Sequence, residues 1–157
     1  MVAPIAETIV VGIDGSECSQ QALRWAIEEA RSSNRTLLLV HVWHWRTDAV
    51  ASPMALVGTS DARQAGHHLL GRAAAQARRH GVTAATRLLE GTAPTTLARV
   101  ADGAAMLVVG SHGHRGMGKL LFGSVSRGCI QRARCPVVVM PAQSSAPHIQ
   151  QPAGAHA

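Results

Sequence analysis

Short apolar runs alternate with stretches of helical periodicity along most of the chain, and this alternation restricts the possible fold more than any other feature. Residues 9–13 and 36–42 are mostly apolar and too short for a buried helix, as expected of parallel strands covered on both faces. Between these two runs, five apolar residues recur with the spacing of one helix face: Ala22, Leu23, Ala26, Ile27 and Ala30.

The same pattern continues to residue 140. Further strands are predicted at residues 82–90, 105–109 and 137–140, and further helices at about 61–80, 92–103 and 125–134, with a loop at 43–60. The apolar stripe of the second helix is predicted to include Ala62, Ala65, Leu69, Ala73 and Ala77.

Strands that alternate with helices favour an α/β fold. We expect a five-stranded, mostly parallel sheet with helices on both faces, a Rossmann-like nucleotide-binding sandwich. Ligands of such sheets bind beyond the carboxyl ends of the strands, which here means near Asp14, Val42 and Gly110.

The length and composition fit one domain. Residues 1–141 carry the whole strand and helix pattern, whereas residues 142–157 are rich in Pro, Ala, Gln and Ser without periodicity, which is typical of a disordered tail. No apolar run approaches the roughly 20 residues that span a bilayer, and the first residues do not resemble a secretory signal peptide. We therefore expect a cytoplasmic protein with no membrane partner, in which the three cysteines are reduced thiols.

Positive charge is concentrated in the last third of the chain. The formal net charge is +6, and no Asp or Glu follows Asp102. Five basic residues follow it instead: Arg115, Lys119, Arg127, Arg132 and Arg134. This distribution suits a polyanionic ligand, either nucleotide phosphates or nucleic acid. Basic residues that only keep the protein soluble would have the same pattern.

A glycine-rich segment leaves the fourth predicted strand at Gly110 and enters the next helix at about Ser126. A phosphate chain needs inward-pointing N–H groups without a Cβ in the way, and glycine allows both. The helix that follows adds unpaired N–H groups and the positive end of its dipole. A mobile strand-to-helix connection is the alternative, because glycine-rich loops alone are weak evidence.

This segment does not match the two commonest phosphate-binding motifs. Its spacing is not the dinucleotide pattern GxGxxG, and Lys119 is not followed by Ser or Thr as in a Walker A loop. Residues 113–116 fit a bare GxxG, as in KH domains, but no aromatic residue lies nearby to stack on a base. Nucleic acid is therefore not the expected partner.

The glycine spacing instead resembles that of a known family. Gly110 is followed by Gly113 and, after nine further residues, by Gly123-Ser124, which is similar to the ATP-binding signature of the universal stress proteins. The segments VVGSHG and LLFGSVSRGCIQRARCPVVVM resemble the family's C-terminal block, IVVGIDGS its N-terminal block and LLLVHVW its second strand. The resemblance covers about residues 5–141, and it indicates the ATP-binding subgroup because members that do not bind ATP lack these glycines.

The resemblance implies roles for residues at the strand ends. Asp14 matches an acidic residue near the ribose and phosphates or their metal, although a turn or helix-cap aspartate would also stand there. Val42 matches a residue whose backbone meets the adenine ring, although its side chain also suits the core. Gly110, Gly113 and Gly123 are expected to contact the ribose and phosphates through their backbone.

Further roles are implied at the start of the last helix. Ser124 and Ser126 are expected to hydrogen-bond phosphate oxygens, with the N–H of Val125 between them. Arg115 and Lys119 either reach the phosphates or face water.

The function implied by the resemblance is that of a nucleotide-responsive stress and signalling factor that binds ATP with Mg²⁺. A homodimer formed through the last strand, residues 137–140, is implied as well. At most slow ATP hydrolysis is expected, because the sequence contains no evident second acid, base or arginine finger. The alternatives left open are cAMP or another adenine nucleotide in the same pocket, or a nucleotide hydrolase.

The nine histidines do not indicate a dedicated metal site. His41 and His44 lie three apart on a strand and so point to opposite faces, and no cluster of Cys or carboxylates accompanies any pair. The expected metal is therefore limited to nucleotide-bound Mg²⁺ near Asp14. His41 and His112 are expected to lie close to the ligand pocket.

Overall fold

The computed structural model describes residues 4–44, 54–112 and 122–142, except for the side chains of residues 54–59. Its elements are a 3-10 turn (Ile5–Glu7), β1 (Thr8–Gly12), α1 (Glu17–Ser33), β2 (Thr36–Trp43), α2 (Met54–Arg79), β3 (Ala84–Glu90), α3 (Ala93–Val100), β4 (Met106–Gly110), α4 (Ser124–Arg132) and β5 (Val137–Met140). The predicted tail from residue 143 onward lies outside the described residues.

The five strands form one sheet in the order β3-β2-β1-β4-β5, and every described pairing is parallel. This confirms the predicted α/β fold. The chain adds β2 and β3 on one side of β1 and then crosses to add β4 and β5 on the other side. The topological switch point therefore lies between β1 and β4, where a crevice opens at the carboxyl ends of the strands.

Helices cover both faces of the sheet, as predicted. On one face Ile9, Val11, Leu37 and Leu39 pack against α1 and α2. Their neighbours along the strands point the other way, because successive strand side chains alternate, and they pack against α3 and α4. Within the described ranges, none of the helices combines the length and the apolar character needed to cross a bilayer.

Local capping explains the ends of α1. The hydroxyl of Ser16 accepts a hydrogen bond from the N–H of Ser19 at 3.2 Å, which caps the helix. At the other end Asn34 adopts the left-handed conformation with φ 54°, a conformation that asparagine tolerates better than most residues.

The second helix differs from the prediction in both its start and its buried face. It begins at Met54, within the predicted loop, and Ala62 and Ala65 are exposed. Ala73 and Ala77 of the predicted stripe are buried as expected, and the other buried positions among the described side chains of the helix are Gly66, Leu70 and Ala74. Alanine is a weak marker of a buried face because it is a good helix former in water as well. The larger Leu70 and the close approach at Gly66 therefore set which face of α2 is turned to the sheet.

Candidate functional site

A pocket of about 280 Å³ opens at the carboxyl edge of the sheet, between the strand ends and helices α3 and α4. Its described lining consists of Gly12, Ile13, Asp14, Ser19, Val40, Val42, Ala93, Leu97, Val109, Gly110, Ser111, His112, Gly123, Ser124, Val125 and Ser126. These residues come from the ends of three strands, from the adjoining loops and from three helices, and the pocket sits at the switch point.

The structure brings together most of the residues predicted for the site. The following predicted residues line the pocket: Asp14, Val42, Gly110, Gly123, Ser124, Val125 and Ser126. Gly113 lies outside the described residues, as do Arg115 and Lys119. His112 also lines the pocket, next to the N-terminal turn of α4.

Gly110 is a glycine for a reason that the sequence did not indicate. A Cβ at this position would lie 2.6 Å from the Cβ of Cys18 and 2.8 Å from the backbone nitrogen of Ser19. The missing side chain therefore lets the first turn of α1 pack directly on the end of β4. The need for glycine at this position thus comes from the packing of the protein itself, whereas the backbone of Gly110 also lines the pocket.

The carbonyl oxygen of Ser111 anchors the start of α4. It accepts a hydrogen bond from the N–H of Gly123 at 2.5 Å and another from the hydroxyl of Ser126 at 3.0 Å. A Cβ on Gly123 would lie 3.0 Å from the same oxygen, so a side chain there would press on this contact. The anchor fixes the helix N-terminus at the mouth of the pocket.

The two serines of α4 are in different environments. Ser126 is 1% exposed, and its hydroxyl lies within hydrogen-bond distance of the carbonyls of Ser111 and Gly123. A hydroxyl has a single hydrogen to donate, so in this arrangement Ser126 holds the loop rather than a ligand, which revises the phosphate contact expected for its side chain. Ser124 is exposed at the first position of the helix.

Asp14 has a structural role in the turn between β1 and α1. Its Oδ1 accepts a hydrogen bond from the N–H of Ser16 at 2.8 Å, and its own N–H donates to the hydroxyl of Ser19 at 3.1 Å. This is the turn role that the sequence left open as an alternative. Asp14 also lines the pocket, and it is the acidic residue of the described lining.

Sequence reasoning missed two groups of pocket residues. The apolar wall is formed by Val40, Val109 and Leu97. Strand alternation from Val42 would have found Val40, whereas no local signal places α3 beside these strands. Ser111 was missed as well. Its hydroxyl lies 2.9 Å from Nδ1 of His112 and 3.6 Å from the sulfur of Cys18.

His41 lies behind the site rather than in it. Its Nδ1 is 2.6 Å from the carbonyl oxygen of Ile13, and its ring packs against α2 at Gly66, where an added Cβ would come within 2.9 Å. It is not among the pocket-lining residues. It lies close to the pocket, as expected, but reaches it only through Ile13. Strand alternation explains this, because His41 and Val42 face opposite sides of the sheet.

The cysteine on the buried face of α4 has a thiol of low reactivity. Cys129 is 0% exposed, and burial raises the pKa of its thiol to about 11. The thiolate is the nucleophilic form of cysteine, so this group stays protonated near neutral pH. It serves the core that supports the pocket.

A family model described as the universal stress protein family matches residues 6–141. The chain belongs to the universal stress protein family. A universal stress protein of Mycobacterium tuberculosis is 36% identical over 154 residues, which cover 91% of this chain and 50% of that protein. This chain thus spans about half the length of the curated relatives that it matches.

Solved structures of the family include complexes with nucleotides. A universal stress protein family protein from Arabidopsis thaliana with AMP bound is 25% identical with a TM-score of 0.64, and the match covers 87% of this chain and 92% of that one. A universal stress protein in complex with cAMP is also 25% identical with a TM-score of 0.64, covering 88% of this chain and 99% of that one.

Proposed function

We propose that this chain binds an adenine nucleotide in the pocket at the carboxyl edge of the sheet, and that Mg-ATP is the ligand through which it acts in stress signalling. The observation that carries the proposal is the two-part character of the pocket. Val40, Val109 and Leu97 form an apolar wall, whereas the N-terminus of α4 lies at the opening. An apolar wall suits a planar base, and a helix N-terminus suits phosphates.

The phosphate contacts are assigned to the first turn of α4. The first N–H groups of a helix have no acceptor within the helix, and here they belong to Ser124, Val125 and Ser126. The exposed hydroxyl of Ser124 adds a donor beside them. Gly110, Gly113 and Gly123 are proposed to contact the ribose and phosphates through their backbone, whereas the side chain of Ser126 holds the turn in place.

The residues of the pocket fit a nucleotide-bound magnesium ion. Mg²⁺ in nucleotide sites takes one or two carboxylates together with phosphate oxygens and water. Asp14 supplies one carboxylate next to the proposed phosphate position. We therefore assign the metal to the nucleotide, with Asp14 as its protein partner.

Slow hydrolysis at most is proposed for the bound ATP. The described lining residues include neither Arg nor Lys, and the acidic residue among them is Asp14. Fast phosphoryl transfer needs cationic groups that stabilise the transition state as well as a group that positions water. The second candidate ligand is AMP or cAMP, which is favoured by the two complexes of relatives that contain these molecules.

Isothermal titration with Mg-ATP, ADP, AMP, cAMP, adenosine and GTP tests the proposal. We expect Mg-ATP to bind in preference to GTP. A double variant, Gly123→Val with Ser124→Ala, should lose affinity for ATP but keep whatever affinity adenosine has, because adenosine lacks phosphates. Ser32→Ala, on the exposed last turn of α1, is the matched control and should bind as the wild type does. If no adenine compound binds the wild type, the proposal is wrong.

We also propose a homodimer formed through β5. This strand is the last in the sheet, and its residues are all partly exposed. The carbonyls of Pro136 and Met140 accept hydrogen bonds from the N–H groups of Leu107 and Ser111. Backbone groups along a strand point alternately to either side, so those of Val137 and Val139 point to the free edge of the sheet. Val139→Pro removes one outward N–H and should leave the β4 pairing intact. Light scattering should then report a loss of dimer without a loss of fold, and an unchanged dimer would contradict this arrangement.

Residues 1–141 are proposed as the folding unit, and the cytoplasm as its location. The family match to residues 6–141 supports the first of these proposals.

A further inference from the structure

A second concave surface lies between α1 and α2, on the face of the sheet opposite α3 and α4. Helix α1 packs on β1 and β4, whereas α2 packs on β2 and β3. The two helices therefore diverge over the centre of the sheet and leave a groove of about 400 Å³ between them. The groove is lined by Ile13, Gly15, Ser19, Gln20, Leu23, Leu69, Arg72, Ala73, Ala75, Gln76 and Arg79.

The floor of this groove is apolar and its α2 rim is basic. Leu23 and Ala73 are 4% and 5% exposed, and Leu69 is half-buried beside them. Arg72 and Arg79 are exposed on the rim. Among the described residues, no carboxylate forms an ion pair with either arginine, and no Asp or Glu lines the groove. The two guanidinium groups therefore offer charge that the described protein does not neutralise.

The spacing of the arginines sets the size of a matching ligand. They lie seven residues apart on one helix, which is about 10 Å along the axis. This separation is too long for a single phosphate or carboxylate to engage both. It is within the reach of two carboxylates four residues apart in an extended peptide, which are up to about 13 Å from each other.

We propose that this α1–α2 groove is a docking site for an acidic linear segment of a partner protein. Carboxylates of the segment pair with Arg72 and Arg79, and an apolar side chain between them packs on Leu23 and Ala73. The amides of Gln20 and Gln76 lie on opposite walls and provide donors and acceptors for the peptide backbone. Arginine forms planar, bidentate pairs with carboxylates, which fits this use of the rim.

The apolar floor separates this proposal from nucleic-acid binding. Single-stranded nucleic acid is usually held by aromatic side chains that stack on bases beside basic residues. The described lining of the groove contains no aromatic residue. A peptide with one apolar side chain uses the floor, whereas a bare phosphate backbone leaves it unfilled.

A fluorescence-anisotropy titration tests the proposal on the full chain without nucleotide, so that its outcome is independent of the nucleotide proposal. The probe is a labelled peptide with the core Glu-Gly-Leu-Gly-Glu. Arg72→Gln with Arg79→Gln should weaken its binding by roughly tenfold or more. Arg63→Gln with Arg78→Gln is the matched control: it changes the same charge on exposed positions of the same helix outside the groove, and it should change affinity by less than about twofold.

Two altered peptides complete the test. Replacing both Glu by Gln removes the same two ion pairs and should weaken binding by a similar factor, and replacing Leu by Ser should weaken it several-fold. The proposal is overturned if the wild type does not bind the probe, if both double variants weaken binding equally, or if the Ser peptide binds as well as the Leu peptide. It is also overturned if a single-stranded oligonucleotide of equal charge displaces the peptide at equal concentration. Thermal unfolding of each variant verifies that it is folded.

Discussion

Gly110→Ala is the most informative single substitution, because the structure assigns this glycine to the packing of α1 on β4. The new Cβ would lie 2.6 Å from the Cβ of Cys18, about 0.8 Å closer than the 3.4 Å at which ordinary contact begins. The carbonyl carbon of Cys18 and the nitrogen of Ser19 lie 2.8 Å away. Because these are backbone atoms, rotation of a side chain cannot relieve the clash, and the first turn of α1 must move.

The expected cost is near the upper end of the range for overpacking, about 2–3 kcal/mol. For a domain of this size each kcal/mol lowers Tm by roughly 2–4 °C, so Tm should fall by roughly 5–10 °C. Nucleotide affinity should fall as well, because the moving turn carries the hydrogen bonds of Asp14 with Ser16 and Ser19. Denaturant unfolding and calorimetric titration measure the two effects on the same sample.

Gly71→Ala is the matched control, since it adds the same methyl group in a different environment. Gly71 lies within α2, and an added Cβ would meet no atom within 4 Å. Replacing glycine inside a helix by alanine stabilises by about 0.5–1 kcal/mol. The two substitutions should therefore have opposite signs. If Gly110→Ala left the free energy of unfolding within about 0.5 kcal/mol of the wild type, the described packing of α1 on β4 would be refuted.

Three further predictions concern capping, a hydrogen bond behind the site and alkaline stability. Ser16→Ala should cost about 1 kcal/mol in urea unfolding because it removes the α1 cap, and an unchanged midpoint would contradict that role. His41→Phe should cost about 1–3 kcal/mol and weaken nucleotide binding, because the Ile13 carbonyl beside the pocket loses its partner; unaltered binding would show that the contact does not position the turn. Burial raises the pKa of Cys129 from 9.0 to about 11, so the folded state holds this proton more tightly. The stabilisation that results is fully present below about pH 9. The free energy of unfolding should then fall by roughly 2 kcal/mol as the pH rises to about 11. The chain has no Tyr that would titrate in this range. Cys129→Ala should therefore reduce the pH dependence and leave the part that comes from Cys135, whose thiol pKa is also raised by burial.

Local pattern in the sequence was sufficient for the strands and the fold class, and with the family resemblance it indicated about half of the described pocket lining. Runs such as residues 9–13 are apolar because both faces of a central parallel strand are buried. Parallel strands end at one edge, so the sequence alone predicts that Asp14, Val42 and Gly110 lie together. The order and spacing of Gly110, Gly123 and Ser124 also indicated the family, and a match over residues 6–141 confirms it.

Only the tertiary structure decided which partner each of these residues has. Gly110 packs against Cys18, which is far away along the chain, and the hydroxyl of Ser126 lies within hydrogen-bond distance of two carbonyls of its own loop. The buried face of α2 and the α1–α2 groove likewise depend on how far apart two helices lie on the sheet. Periodicity reports whether a position is buried, which is a local property. Periodicity does not report which residue covers that position, because the covering residue belongs to another element and can lie about a hundred positions away. The hydrogen bond from the Ser16 hydroxyl to the His112 carbonyl is an example.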